Sequence, residues 1–79
     1  MTASAQPVLD RSPLAKLTPE SRAAVGKALD EKDYSRAEQV LVDELARMPD
    51  AGLYGLLGSL FFVNGEYLNA GIALKKADV

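Results

Sequence analysis

The sequence predicts an all-α fold built from antiparallel helix–turn–helix hairpins stacked on one another. Three observations carry this. Apolar residues recur at the helical interval in successive segments. Hydroxyl or acidic residues stand where those segments would begin, and Pro follows twice, at Ser12-Pro13 and Thr18-Pro19. Finally, part of the pattern recurs in register: Tyr34 and Tyr67, Ala37 and Ala70, and Leu41 and Leu74 are each 33 residues apart. A match that returns at a fixed spacing is the mark of a repeated structural unit.

Residues 1–10 show no usable period and read as a mobile tail. Ser12 caps a short helical turn over Leu14 to Leu17, which ends at Pro19. Thr18-Pro19 opens a longer helix to about residue 30, with Glu20 near its positive end and Ala24, Val25, Ala28 and Leu29 on its apolar face. Lys32-Asp33 forms a tight corner, and Asp33 caps a second helix over 34–48. Tyr34, Ala37, Leu41, Leu45 and Met48 make the buried stripe of that helix, while Arg36, Glu38, Asp43 and Arg47 mostly lie away from it. Pro49 stops it, and Asp50 caps a third helix over 51–63.

The third helix is apolar nearly all round, so it needs cover on every side. Leu53, Tyr54, Leu57, Leu60 and Phe61 pack inward, and Gly58 lets a neighbouring helix approach closely. A fourth helix over 66–77 carries Tyr67, Ala70, Ile72, Ala73, Leu74 and Ala77 as its apolar set, with Lys75 and Lys76 near its negative end. Asn64-Gly65 between apolar runs is also a β-hairpin signal. The helical interval of Tyr67, Ala70, Leu74 and Ala77 argues instead for Asn64 or Gly65 as a left-handed helix cap.

The series Tyr54, Leu57-Gly58, Phe61, Gly65, Tyr67, Ala70, Leu74 and Ala77 resembles the tetratricopeptide repeat (TPR). Residues 18–50 form a degenerate first unit, with Ala24-Val25 at the Leu-Gly position and Ala28 at the aromatic one. Residues 51–79 form a well-matched second unit that stops before its closing Pro, and 1–17 stand outside as the tail. The resemblance implies a short right-handed solenoid whose leading helices line a groove for a peptide or helix. Carried over, the groove positions are Arg22, Ala23, Gly26 and Leu29, then Gly55, Leu56, Ser59, Phe62 and Val63. Only Arg22 is a cation there, so the carboxylate clamp of the family's chaperone-tail binders is not expected. A shallow apolar strip remains. A competing reading makes Phe62 and Val63 core against a neighbouring repeat.

The chain has 79 residues, 48% hydrophobic and 25% charged, with a net charge of −2, so it is globular and holds one small domain. Its nine basic residues are scattered, which disfavours nucleic-acid binding. The longest uncharged run, over 51–65, is too short to span a bilayer. There is no His and no Cys, no phosphate-binding glycine loop and no calcium-loop pattern around Asp30, Glu31 and Asp33. The expectation is therefore a protein-interaction scaffold, with no enzymatic activity, cofactor or metal. It is soluble and cytoplasmic by default, with an exported parent left open. The partner is a protein or peptide, and the chain is part of a longer repeat array or a self-associating homodimer. A second function class is a small secretion-type chaperone that shields an apolar helix.

Overall fold

The computed structural model describes residues 9–77; the first eight residues of the tail expected over 1–10, and the last two residues of the chain, lie outside it. A 3-10 turn, Ser12–Lys16, precedes four helices: α1 (Pro19–Asp30), α2 (Tyr34–Arg47), α3 (Ala51–Val63) and α4 (Tyr67–Ala77). The described residues contain no strand, so the Asn64-Gly65 corner joins helices. No described helix is long and apolar enough to cross a membrane. Each helix packs on the next in the chain, and α3 and α4 are the most tightly apposed.

The caps sit as the residue types dictate. Thr18 accepts from the Ser21 amide at 3.2 Å, Asp33 from the Arg36 amide at 3.3 Å, and Asp50 from the Leu53 amide at 2.9 Å. Each side chain satisfies a helix N–H that has no partner within the helix. Ser12 behaves differently from its expected role. It lies inside the 3-10 turn and makes no capping bond there; its amide and hydroxyl both donate to Asp10, at 3.0 and 2.7 Å. The Asp10 carboxylate, a charged acceptor two residues upstream, turns the Ser12 hydroxyl toward itself.

The two hairpin corners are the same structure, 33 residues apart. At the first, the Asp33 amide donates to the Ala28 carbonyl at 2.8 Å and the Lys32 amide to Leu29 at 3.1 Å. At the second, the Glu66 amide donates to Phe61 at 2.8 Å and the Gly65 amide to Phe62 at 3.1 Å. Both are Schellman caps, which need a left-handed residue. Gly65 supplies it at φ +82°, whereas the first corner uses Lys32 at φ +59°. A side chain in that region is strained and a glycine is not. Lys32→Gly is therefore expected to raise stability by about 0.5–1 kcal/mol, read as a higher urea midpoint at unchanged slope.

The core runs through Val25, Ala28 and Leu29 of α1, Ala37, Leu41 and Leu45 of α2, and Leu53, Leu56, Leu57 and Leu60 of α3. Leu14 and Leu17 join it from the 3-10 turn, which rests on both α1 and α3. Arg22 holds that turn down: its guanidinium donates to the Leu14 carbonyl at 3.3 Å and to Leu17 at 3.2 Å. Four residues of α2 and α3 depart from the expected faces. Met48 is exposed, because the chain is already extended there (φ −144°, ψ 94°) and has left the helical stripe. Tyr54 and Phe61 are half-buried, packed against the core from its edge. Glu38, expected on the solvent side, is buried.

Candidate functional site

The groove positions carried over from the resemblance do not share one surface. Leu29 and Leu56 are core residues. Arg22 is exposed but engaged with the 3-10 turn. Gly55 faces the end of α4, where an added Cβ would lie 3.8 Å from that of Ala77. The Ser59 hydroxyl donates to the Gly55 carbonyl at 3.1 Å, one turn back. Gly26 faces open space, and Val63 is half-buried. Phe62 is exposed, and its ring meets that of Tyr67 edge-on at 5.2 Å between centroids. Helical spacing alone could not separate these positions, because α3 is apolar on every face and a wheel gives no sign of which side its neighbours cover.

What the structure gathers instead is an apolar surface around the open side of the α3–α4 hairpin. Phe62, Tyr67 and Leu74 are all exposed there, with Leu68 and Ile72 further round α4. On α4, Tyr67, Gly71 and Leu74 fall on one stripe by helical spacing. Gly71 meets nothing within 4 Å of an added Cβ, so a partner backbone has room to approach. The corresponding residues of the first hairpin, one repeat earlier, are Leu29, Tyr34, Glu38 and Leu41. Leu29 and Leu41 are 5% and 0% exposed, against 58% for Phe62 and 43% for Leu74. On the first hairpin α3 packs against α2, and the 3-10 turn against α1. Among the described residues nothing plays that part for the second.

Other concavities are less distinctive. Two adjoining clefts of about 260 Å³ each share Tyr54 and Leu57 and run between α2 and α4 over α3. The Lys76 ammonium stands 5.8 Å from the Tyr54 ring centre at one edge. A cleft of about 420 Å³ opens where the 3-10 turn, α2 and α3 converge. Its cations are already partnered. Lys16 pairs with Asp50 at 3.0 Å, and Arg47 pairs with Glu44 at 2.6 Å. The Lys16 hydrogen bond holds the Asp50 carboxyl below its usual range, and the Ser21 hydroxyl, with Arg47, does the same for Glu44. No group of three or more metal-ligating side chains occurs among the described residues.

Fold and surface together define an all-α protein of two stacked helical hairpins with an uncovered apolar side. No protein-family model, no curated protein and no solved structure matches the chain.

Proposed function

We propose that this chain is a protein-interaction module that docks an apolar helix on the open side of its second hairpin. The observation behind the reading is the burial difference one repeat apart, Leu41 against Leu74 and Leu29 against Phe62. In the first hairpin the α2 side, which carries Leu41, packs on α3, whose thirteen residues carry no charge. A helix of the same chemistry, apolar on several faces and rich in small residues, fits the second. In this reading the hairpins are TPR-like units of a short right-handed solenoid. The working surface is Phe62, Tyr67, Gly71 and Leu74, and of the groove expected from the leading helices it keeps Phe62 alone. The chain has no His and no Cys, so the reading gives it no catalytic step.

The test is a labelled peptide with the sequence of residues 51–63, flanked by lysines for solubility, titrated with the whole chain by fluorescence anisotropy. Saturable binding is expected. Leu74→Asp and Phe62→Asp should each weaken it at least about tenfold, the equivalent of roughly 1.4 kcal/mol, while circular dichroism shows the helices intact. Equal binding by both variants would place the contact elsewhere. No binding by a chain that light scattering shows to be monomeric at all concentrations would end the reading. A dimer that both substitutions dissociate would identify a second copy as the occupant.

A further inference from the structure

Glu38 is the one charged side chain in the core, 6% exposed, and its Oε2 has no hydrogen-bond partner. A buried carboxylate without a partner costs several kcal/mol in general, so such a group keeps its proton or finds a cation. Neither Glu38 nor Glu66 enters an ion pair among the described residues. What acts on Glu38 from outside its own helix is a second acid, Glu66, at the α3–α4 corner. That corner is built around Glu66. The Asn64 amide donates to one carboxylate oxygen at 3.0 Å, and the Asn69 amide donates to the other at 3.2 Å. Asn64 also reaches the Ser35 hydroxyl of α2 at 3.5 Å. The remaining neighbours bring no compensating charge. Helix α3 has no charged residue at all, and Lys75 and Lys76 stand at the far end of α4, about 13 Å along its axis from Glu66. On the outer side, Lys27 of α1 and Arg36 of α2 line a separate open cleft with Glu31 and Asp33.

We propose that Glu38 and Glu66 form a proton-controlled latch between the two hairpins, closed while Glu38 is protonated and opened at the α3–α4 corner when that proton is lost. The joint is the only place in the described structure where a buried acid of one hairpin meets an acid of the other. A proton lets the Glu38 carboxyl sit beside Glu66 without repulsion. Its loss leaves two like charges together, one of them buried, and the least costly relief is to swing the exposed corner outward. Solvent then reaches Glu38, while the α1–α2 pairing is untouched.

The direction of the pH dependence follows from the same groups. Burial, and then the Glu66 charge, push the Glu38 carboxyl from its ordinary 4.5 up to about 7. Between those values the unfolded chain has lost the proton and the folded chain still holds it. Stability therefore declines as pH climbs from about 4.5 through about 7, and levels off above. The opposite limb belongs to Asp10, Glu44 and Asp50, held below their usual range by Ser12, Ser21 and Lys16 respectively; their contribution disappears as pH falls through the acid range.

The experiment is a carbon-detected NMR titration of the Glu38 carboxyl in the whole chain, paired with amide exchange at pH 5.5 and 8. Expected are a Glu38 midpoint well above 4.5 and a fall in protection across 64–70 of at least about tenfold, corrected for intrinsic exchange, while α1 holds. Glu38→Gln should abolish the fall, and Glu66→Gln should shift the Glu38 midpoint downward. A Glu38 midpoint at its ordinary value would overturn the latch, and this needs no variant to fold. Uniform loss of protection over all four helices would also overturn it, by showing that ionisation loosens the whole fold and not the corner.

Discussion

Leu41→Ala is expected to remove about 2–5 kcal/mol of stability, whereas Leu74→Ala, the same change one repeat later, should cost only about 0.5–1.5 kcal/mol. Leu41 is fully enclosed on α2, the helix flanked by α1 and α3. Truncating it loses the transfer energy of the side chain and leaves a cavity that the flanking helices only partly fill. Leu74 keeps much of its surface in water already, so its removal opens no closed cavity. A chain this size has roughly 4–12 kcal/mol in all. The first change therefore takes a large share of the total and brings the protein close to unfolding at ambient temperature. Urea titration checks both: each midpoint should drop at nearly constant slope, with the larger drop for Leu41. Equal costs would mean that Leu74 is covered in solution, and light scattering on the same samples would then show the covering copy.

That contrast also marks how far the sequence can be read. The helices and corners were legible because they depend on local chemistry: Thr18, Asp33 and Asp50 bond amides three residues away, and Pro19 and Pro49 act on their own neighbours. The spacing of Ala37 with Ala70 was equally plain, and both alanines are buried. Burial that depends on which neighbour a face meets was not legible. Leu41 and Leu74 occupy the same repeat position, yet one is enclosed and the other open. Glu38 follows the same rule. A helical wheel sets it beside the stripe of α2 and gives no sign of the α3–α4 corner, some thirty residues later, where Asn64 reaches Ser35 of α2 and Glu66 acts on the Glu38 carboxyl. Lys32 hides its left-handed conformation because lysine gives no turn signal, while Gly65 at the matching corner gives one. Leu14 and Leu17 belong to a segment too short to show a period; they are buried where the 3-10 turn meets α1 and α3, and Arg22 holds their carbonyls.

The close approach of α4 to α3 rests on Gly58, and enlarging it should have the second large effect. A Cβ built at Gly58 would lie 2.6 Å from Cγ and 2.7 Å from Cδ2 of Leu74, and 3.3 Å from the Leu74 backbone nitrogen. The side-chain clash can be relieved, because Leu74 is partly exposed and free to rotate outward. The backbone contact gives way only if α4 moves. For Gly58→Ala, overpacking is partly offset by the roughly 1 kcal/mol that alanine gains over glycine inside a helix, so the net change should be small. Gly58→Leu has no such relief: it must push the two helices apart, at a cost of about 2–3 kcal/mol. At the matching position of the first hairpin stands Val25, fully buried, and α1 and α2 are less closely apposed than α3 and α4. The second hairpin is thus the tighter pair because of one missing side chain. A double-mutant cycle isolates the contact. Combining Gly58→Ala with Leu74→Ala should show a favourable coupling of about 0.5–1 kcal/mol, since the second truncation removes the atoms that the first one meets. Additive costs would mean that the helices already stand further apart in solution, and that the glycine serves chain flexibility and not packing.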